Sequence, residues 1–360
     1  MKLSRKTLFS LSIPILIIIL SMAFLVPWWI LETSNNPTHY WKKIAPEKVE
    51  MDSGLLNSMV DYLESENHDI HSVVIIRDGF IVTEWYASGY KIKTLFKLYS
   101  ATKSVISILI GIVLDMGFIS SVNQLMLDYF PNRTIMNLNA DKESITIKHL
   151  LTMTAGFDWP EWEISYFNVN NIFNTWKVND DYVQFVLDRP MNSTPGEKFN
   201  YNTGISHLLG AILEVATNKS VEDFANEYLF EPLEIISTLW EYDPDGLPLG
   251  GEGLYLKARD MAKIGYLFLN EGMWGGEQII SKEWVDFSTY AHVSVSNSSD
   301  YGYQWWISKT YDSYRASGFG GQQIHVFPEE DLVVVFTGWD LYIGLSWDLL
   351  DNFILPSIIL

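Results

Sequence analysis

The sequence predicts a mixed α/β (α+β) protein: one antiparallel sheet flanked by helices, a helical subdomain inserted between its strands, and a single apolar helix in front. Three observations predict it. A hairpin signal lies early, at "SVVIIRDGFIVTEWY" (72–86), where two β-rich runs flank Asp78-Gly79. Further strand-like runs, "GYQWWISK", "QQIHVFPEED" and "DLVVVFTGW", return only after residue 300. Between them, residues 118–250 read as helices and loops. Strands separated in this way can share one sheet when the intervening chain packs as helices.

The N-terminus comes first in the chain. "MKLSRK" carries Lys2, Arg5 and Lys6, and residues 7–31 then run without a charge. About 20 apolar residues span a bilayer, so this run is long enough. Trp28 and Trp29 fall where an interfacial aromatic belt belongs, and the cations before the run put the N-terminus inside and the rest of the chain outside. Residues 1–31 are therefore expected to be a signal anchor, with a cleaved signal sequence as the alternative; both place the following domain outside the cytoplasm. Residues 32–48 read as a polar linker, and 49–360 as the globular domain.

Within that domain, "SGLLNSMVDYLES" (53–65) has apolar residues at helical spacing behind a Ser cap. After the hairpin, "SVISILIGIVL" (104–114) is an apolar helix. "TIKHLLTMTAG" (146–156), "NDDYVQFVLDRP" (179–190), "NTGISHLLGAILEVATNKS" (202–220) and "SVEDFANEYLFEPL" (220–233) follow as helices of the middle. "ARDMAKIGYLFLNEG" and "SKEWVDFSTYA" precede the closing strands, and "LSWDLLDNFILPSIIL" (345–360) reads as a last helix.

Composition excludes several function classes. The chain of 360 residues is 48% hydrophobic and 14% aromatic, enough for a sizeable core. It has no cysteine, so disulfides, thiol nucleophiles and Cys-based zinc sites are out. A net charge of −20 with no basic stripe argues against nucleic acid. The acidity reads as a soluble, self-repelling surface. "GFGGQ" (318–322) is Gly-rich but lies between strand patterns, not before a helix, so it does not read as a phosphate loop. No cofactor is expected. The seven histidines show no metal-ligand spacing, and His207 on its apolar helix reads as a packed core residue.

One position stands against its surroundings. Lys103 sits in the first turn of the apolar helix, three residues after Ser100. Positions i and i+3 share a helix face, so the amine can reach the Ser100 hydroxyl. Burial favours the neutral amine, which can take a proton from the serine. The helix N-terminus offers N–H groups to a developing oxyanion. The plain alternative is a lysine that snorkels to water.

"YSATKSV" followed by an apolar helix resembles the first motif of the serine β-lactamase and penicillin-binding-protein superfamily. Four more segments agree in order: "ITIKHLLTMTAGF" (145–157), "TPGEKFNYNTGISHLLGAIL" (194–213), "YGYQWW" (301–306) and "ASGFGGQQIHVFPEEDLVVV" (316–335). The resemblance covers about residues 50–350 and is nearest the class-C-like branch of β-lactamase-related esterases, D-amino peptidases and 6-aminohexanoate-oligomer hydrolases. It implies the β-lactamase/transpeptidase-like fold and a serine hydrolase that forms an acyl-enzyme on small ester or amide substrates. It also implies Ser100 as nucleophile, Lys103 as its base and Tyr201 as the phenol that passes a proton to the leaving group. The oxyanion hole would be the backbone N–H groups of Ser100 and Phe319. Thr203, Ala316, Ser317 and Gly318 would line the substrate site; the expected partners are that substrate and, through residues 7–31, the membrane.

Two departures from the family pattern matter. The Asn expected two residues after Tyr201 is Thr203, with Asn202 displaced by one. The third motif, usually opened by Lys or His, reads Ala316-Ser317-Gly318. Arg315 is adjacent, but neighbours on a strand face opposite ways, so it is not expected to replace the missing cation. Neutral esters are therefore expected to be preferred over penicillins. A true β-lactamase or D,D-peptidase is the rival within the family, and a non-catalytic binding or sensor domain is the rival of another class. Asp158, Glu161 and Glu163 are expected in a solvated loop, and Trp305 and Trp306 beside the site.

Overall fold

The computed structural model describes residues 41–65, 68–341 and 344–359. The expected membrane span at 7–31 and most of the linker lie outside these residues. Among the described residues no helix is long and apolar enough to cross a membrane.

The early hairpin forms as the sequence indicates. Strands β1 (Ile70–Arg77) and β2 (Phe80–Tyr86) pair antiparallel across Asp78-Gly79. Both turn residues take positive φ, 49° and 75°, the geometry a two-residue turn needs to follow the twist of its strands. The later strands are β3 (Val293–Ser294), β4 (Ser299–Tyr301), β5 (Trp306–Ser308), β6 (Tyr314–Gly318), β7 (Gln322–Phe327) and β8 (Leu332–Gly338). They join the hairpin in one eight-stranded sheet, ordered β2-β1-β8-β7-β6-β5-β4-β3. The first and last strands of the sheet in chain order thus lie side by side, second and third from one edge, with Val74 opposite Val335. β7 and β8 are buried along their whole length, which is why "LVVVF" shows no polar alternation.

Helices cover both faces. On one, α1 (Ser53–Ser65) and α6 (Gly344–Leu349) pack Leu56, Met59, Leu63 and Leu349 against Val73, Ile75, Val334 and Phe336. The other carries α5 (Ala258–Leu269) and a larger core that includes Val74, Ile76, Ile324 and Val335. Gly265 of α5 lets helix and sheet touch: a Cβ there would lie 2.6 Å from Val333 Cγ1 and 2.7 Å from Ile324 Cγ2.

The same core continues into the helical middle through α2 (Thr102–Asp115) and α4 (Thr203–Thr217). Between α2 and α4 lies the short helix α3 (Ile147–Leu151), which starts at a Thr146 cap and ends five residues before Gly156, because Met153 turns left-handed (φ 58°). The last helix is also shorter than its pattern: α6 passes at Leu350 into a wider π turn.

Gln304 ties these pieces together from the loop before β5. Its backbone carbonyl accepts from Ser104 of α2 at 2.7 Å, and its side-chain oxygen accepts from Ser206 of α4 at 2.7 Å. Its amide nitrogen donates to Leu150 and Leu151 of α3, both at 3.0 Å. Replacing it with an apolar residue strands buried partners. Gln304→Met is expected to lower stability by about 1–3 kcal/mol, read as an earlier urea midpoint. An unchanged midpoint would show that this junction contributes nothing.

Candidate active site

Ser100 lies in a tight turn, Tyr99–Ala101, that runs directly into α2. Tyr99 holds a left-handed backbone (φ 47°), an unfavourable conformation for a large side chain that places the next residue at a sharp corner. The corner is fixed from behind: Leu98 N–H donates to Leu254 O at 2.8 Å, and Leu254 N–H donates to the Thr102 hydroxyl at 3.3 Å. Ser100 therefore stands at the head of an apolar helix, where first-turn N–H groups have no acceptor within the helix.

Lys103 does not snorkel. Its side chain is sealed in the core at 1% exposure. Nζ lies 2.9 Å from Ser100 Oγ, 3.1 Å from Thr203 Oγ1 and 2.8 Å from Gly251 O. Burial lowers its pKa to about 8, while the negative charges of Glu161 and Glu252 pull it back up. The Gly251 carbonyl reaches the amine because two glycines run flush against α4. A Cβ on Gly250 would sit 2.6 Å from Ser206 O, and one on Gly251 would sit 2.7 Å from Thr203 O. His207, a buried core residue as its helix pattern indicates, anchors this loop. Nδ1 accepts from Gly250 N–H at 3.4 Å and Nε2 meets Asp243 at 3.0 Å.

Tyr201 enters at the foot of α4. Lys103 Nζ lies 4.9 Å from its ring centroid, and the indole of Trp162 stacks on it at 4.6 Å. Burial, then the charge of Glu161, raises the phenol's pKa above its ordinary value, and a hydrogen bond with Ser100 works against them. Asn202 is the helix cap: its side chain accepts from Ile205 N–H at 3.1 Å. Thr203, the first residue of α4, is the one that faces Lys103.

Glu161 departs from the sequence reading. Glu163 is exposed and Asp158 pairs with Arg189 at 3.4 Å, as a solvated loop would have them. Glu161 is instead 1% exposed and lies in the site. It accepts from Trp159 Nε1, Tyr166 OH, Thr203 N and Thr203 Oγ1 at 2.6–2.7 Å. Local sequence carried no signal for this, because its main partner is 42 residues away.

The end of β6 closes the other side. Ser317, Gly318 and Phe319 line a cavity of about 470 Å³ together with Ser100, Tyr201, Thr203 and a wall of aromatic rings. Ala316 does not line it; the side chain is fully buried in the larger core that continues through α2 and α4. Strand alternation holds, but the face that meets the cavity is that of Arg315 and Ser317. This corrects the expectation for both residues. The Arg315 guanidinium supplies a cation at the cavity wall, 5.9 Å from the Trp306 ring and 5.0 Å from that of Trp347. Its Nε is buried without a hydrogen-bond partner. Burial lowers its pKa to about 10, which leaves it charged at neutral pH. Of the two tryptophans singled out, Trp306 lines the cavity, while Trp305 is buried against Phe268 with ring centroids 4.4 Å apart. Among the described residues no cluster of His, Asp and Glu could hold a metal ion.

A sheet that pairs an early hairpin with late strands, helices on both faces, and Ser100 beside the buried Lys103 and Tyr201 place the protein in the mixed α/β class with a Ser-Lys-Tyr cluster at the head of an apolar helix. Residues 63–338 match the family model described as Beta-lactamase, and the chain belongs to that family. It is 23% identical over 284 residues to the 6-aminohexanoate-dimer hydrolase of Paenarthrobacter ureafaciens, covering 73% of this chain and 70% of that one. Among solved structures it is similar to EstCE1, a hydrolase with promiscuous acyltransferase activity (TM-score 0.69, 17% identity, 85% and 98% of the two chains). A family VIII carboxylesterase is similar as well (TM-score 0.67, 16% identity, 85% and 96%).

Gly318 makes the junction between strand and the Ser100 turn possible. A Cβ there would lie 2.0 Å from Leu98 O and 3.2 Å from Ala101 N, both backbone atoms that cannot swing away. Gly318→Ala is expected to cost about 1–3 kcal/mol through overpacking, seen as a lower urea midpoint. Full retention of stability would mean that strand and turn do not meet this closely.

Proposed function

We propose that this protein is a serine hydrolase that forms an acyl-enzyme on small ester or amide substrates. The observation that carries the proposal is the buried Lys103 amine, 2.9 Å from Ser100 Oγ, with a pKa lowered to about 8. Neutral Lys103 takes the Ser100 proton as Oγ bonds to the substrate carbonyl carbon. The N–H groups of Ser100 and Phe319 face the oxygen that becomes negative. The Tyr201 hydroxyl gives a proton to the departing alkoxide or amine as the carbonyl reforms, and is reprotonated from the Ser100–Lys103 side. Water then attacks the ester on Ser100, yields the free acid and returns the proton to the serine. The family supports a hydrolase of this kind, since a relative is named as a 6-aminohexanoate-dimer hydrolase and a fold neighbour as a carboxylesterase.

The site favours substrates with an apolar acyl part, because the cavity wall is mostly aromatic. Arg315 supports a second possibility within the same chemistry, an acyl donor that carries a carboxylate.

Ser100→Ala is expected to abolish labelling by a fluorophosphonate. In the unmodified protein the labelling rate should rise through about pH 8 and level off above it. The sign follows from the base: below its pKa Lys103 is an ammonium ion with no lone pair, and above it the neutral amine accepts a proton. Labelling that persists without Ser100, or a rate that falls between pH 6.5 and 9, contradicts the proposal.

The role of the cation is tested by comparing neutral p-nitrophenyl esters with half-esters of dicarboxylic acids. A charge-assisted hydrogen bond contributes roughly 1.5–3 kcal/mol, so Arg315→Met should cut kcat/KM for the half-esters about tenfold or more relative to the neutral esters. An unaltered ratio would remove Arg315 from substrate recognition.

A further inference from the structure

Glu161 is a buried carboxylate for which the chemistry above has no task. Two of its contacts can only donate to it: Trp159 Nε1–H at 2.6 Å and Thr203 N–H at 2.7 Å, both on Oε2. Oε1 receives the Tyr166 hydroxyl at 2.7 Å and the Thr203 hydroxyl at 2.6 Å. An ionised carboxylate accepts and never donates, so the single Thr203 hydroxyl proton lies on the Glu161 side. The Thr203 oxygen must then accept from its other neighbour, Lys103 Nζ at 3.1 Å. Gly251 O, at 2.8 Å, is also an obligate acceptor. Two N–H bonds of Lys103 are thereby committed, and the remaining direction points at Ser100 Oγ, 2.9 Å away. When the amine is neutral, its two protons stay on Thr203 and Gly251 and its lone pair faces the serine.

We infer that Glu161, acting through the Thr203 hydroxyl, aims the lone pair of Lys103 at Ser100. Glu161 is a positioning residue, and the inference rests on the reading of Ser100 and Lys103 as nucleophile and base. Without the carboxylate, the Thr203 proton is free to turn toward Lys103 and occupy the lone pair. The amine then presents an N–H to Ser100 and cannot take its proton.

The test is the pH dependence of fluorophosphonate labelling of the full chain. In that reaction the Ser100 O–H proton passes to Lys103 as the O–P bond forms, and fluoride leaves with the P–F electron pair. In Glu161→Gln the amide nitrogen donates to the Thr203 oxygen and turns its hydroxyl toward Lys103. The plateau rate should fall roughly 10- to 100-fold, a part of the roughly 10²–10⁴-fold that a positioned general base contributes. The rising limb should also move to lower pH, since a carboxylate that holds the ammonium form is gone. Thr203→Val should show a similar loss of plateau, and Thr203→Ser, which keeps the hydroxyl, should restore most of it. The double variant Glu161→Gln/Thr203→Val should have a plateau no lower than that of Thr203→Val alone, because above the amine's pKa Glu161 bears on the lone pair only through that hydroxyl. Near-UV circular dichroism establishes which variants fold. A folded Glu161→Gln protein with an unchanged plateau overturns the inference, as do losses that multiply in the double variant. Should Glu161→Gln not fold, equal rates for Thr203→Val and Thr203→Ser overturn it. An unmodified protein that is not labelled at Ser100 overturns the nucleophile reading and this inference with it. Labelling at Ser100 that is indifferent to Glu161 and Thr203 overturns this inference alone.

Discussion

The site is organised around one costly arrangement, an amine sealed inside an apolar core. Charge on Lys103 is disfavoured by burial, and its N–H groups would each be a penalty without acceptors. The surrounding structure answers both demands. Gly251 O and Thr203 Oγ1 accept from it, and Ser100 Oγ occupies the third direction. Glu161 and Glu252 work against the loss of charge without touching the amine, and the pKa lies at about 8. An amine near that balance can both accept and return a proton at ordinary pH.

Each of those partners brings its own structural requirement. Gly250 and Gly251 must be glycine because they lie against the backbone of α4. Gly318 must be glycine because the end of β6 presses on the turn before Ser100. α2 and α4 must stay side by side, which Gln304 secures by hydrogen bonds to Ser104 and Ser206. Across the sheet, the early hairpin and the late strand β8 close the scaffold on which β6 is held. The aromatic wall then gives the cavity an apolar lining, with Arg315 as a cation set into it.

Much of this was legible in the chain. The hairpin rested on Asp-Gly, whose left-handed tolerance is local chemistry, and it formed. Ser100 and Lys103 are three residues apart on one helix, so their contact follows from helix geometry alone. Tyr201 could be placed only by its resemblance to a family motif, since 98 residues of chain separate it from Lys103. Strand alternation by itself leaves the side on which Arg315 lies open. Periodicity says that Arg315 and Ala316 face opposite ways, but not which face borders the cavity. The polar loop around Glu161, with Glu163 exposed two residues on, predicts a solvated carboxylate and gives no sign of its burial.

The sequence by itself determined what short-range physics controls: the strands and helices, their turn and cap residues, and the Ser100–Lys103 pair. Tertiary structure alone decided which distant groups close on that pair. A carboxylate, a carbonyl and a hydroxyl from three separate segments meet at Lys103 or one bond removed from it. Their convergence depends on packing between elements far apart in sequence, and packing distances of a few tenths of an ångström are not written in residue spacing. The same holds for the cation: its residue is plain in the sequence, while the face it serves was set by how the sheet lies against the helices.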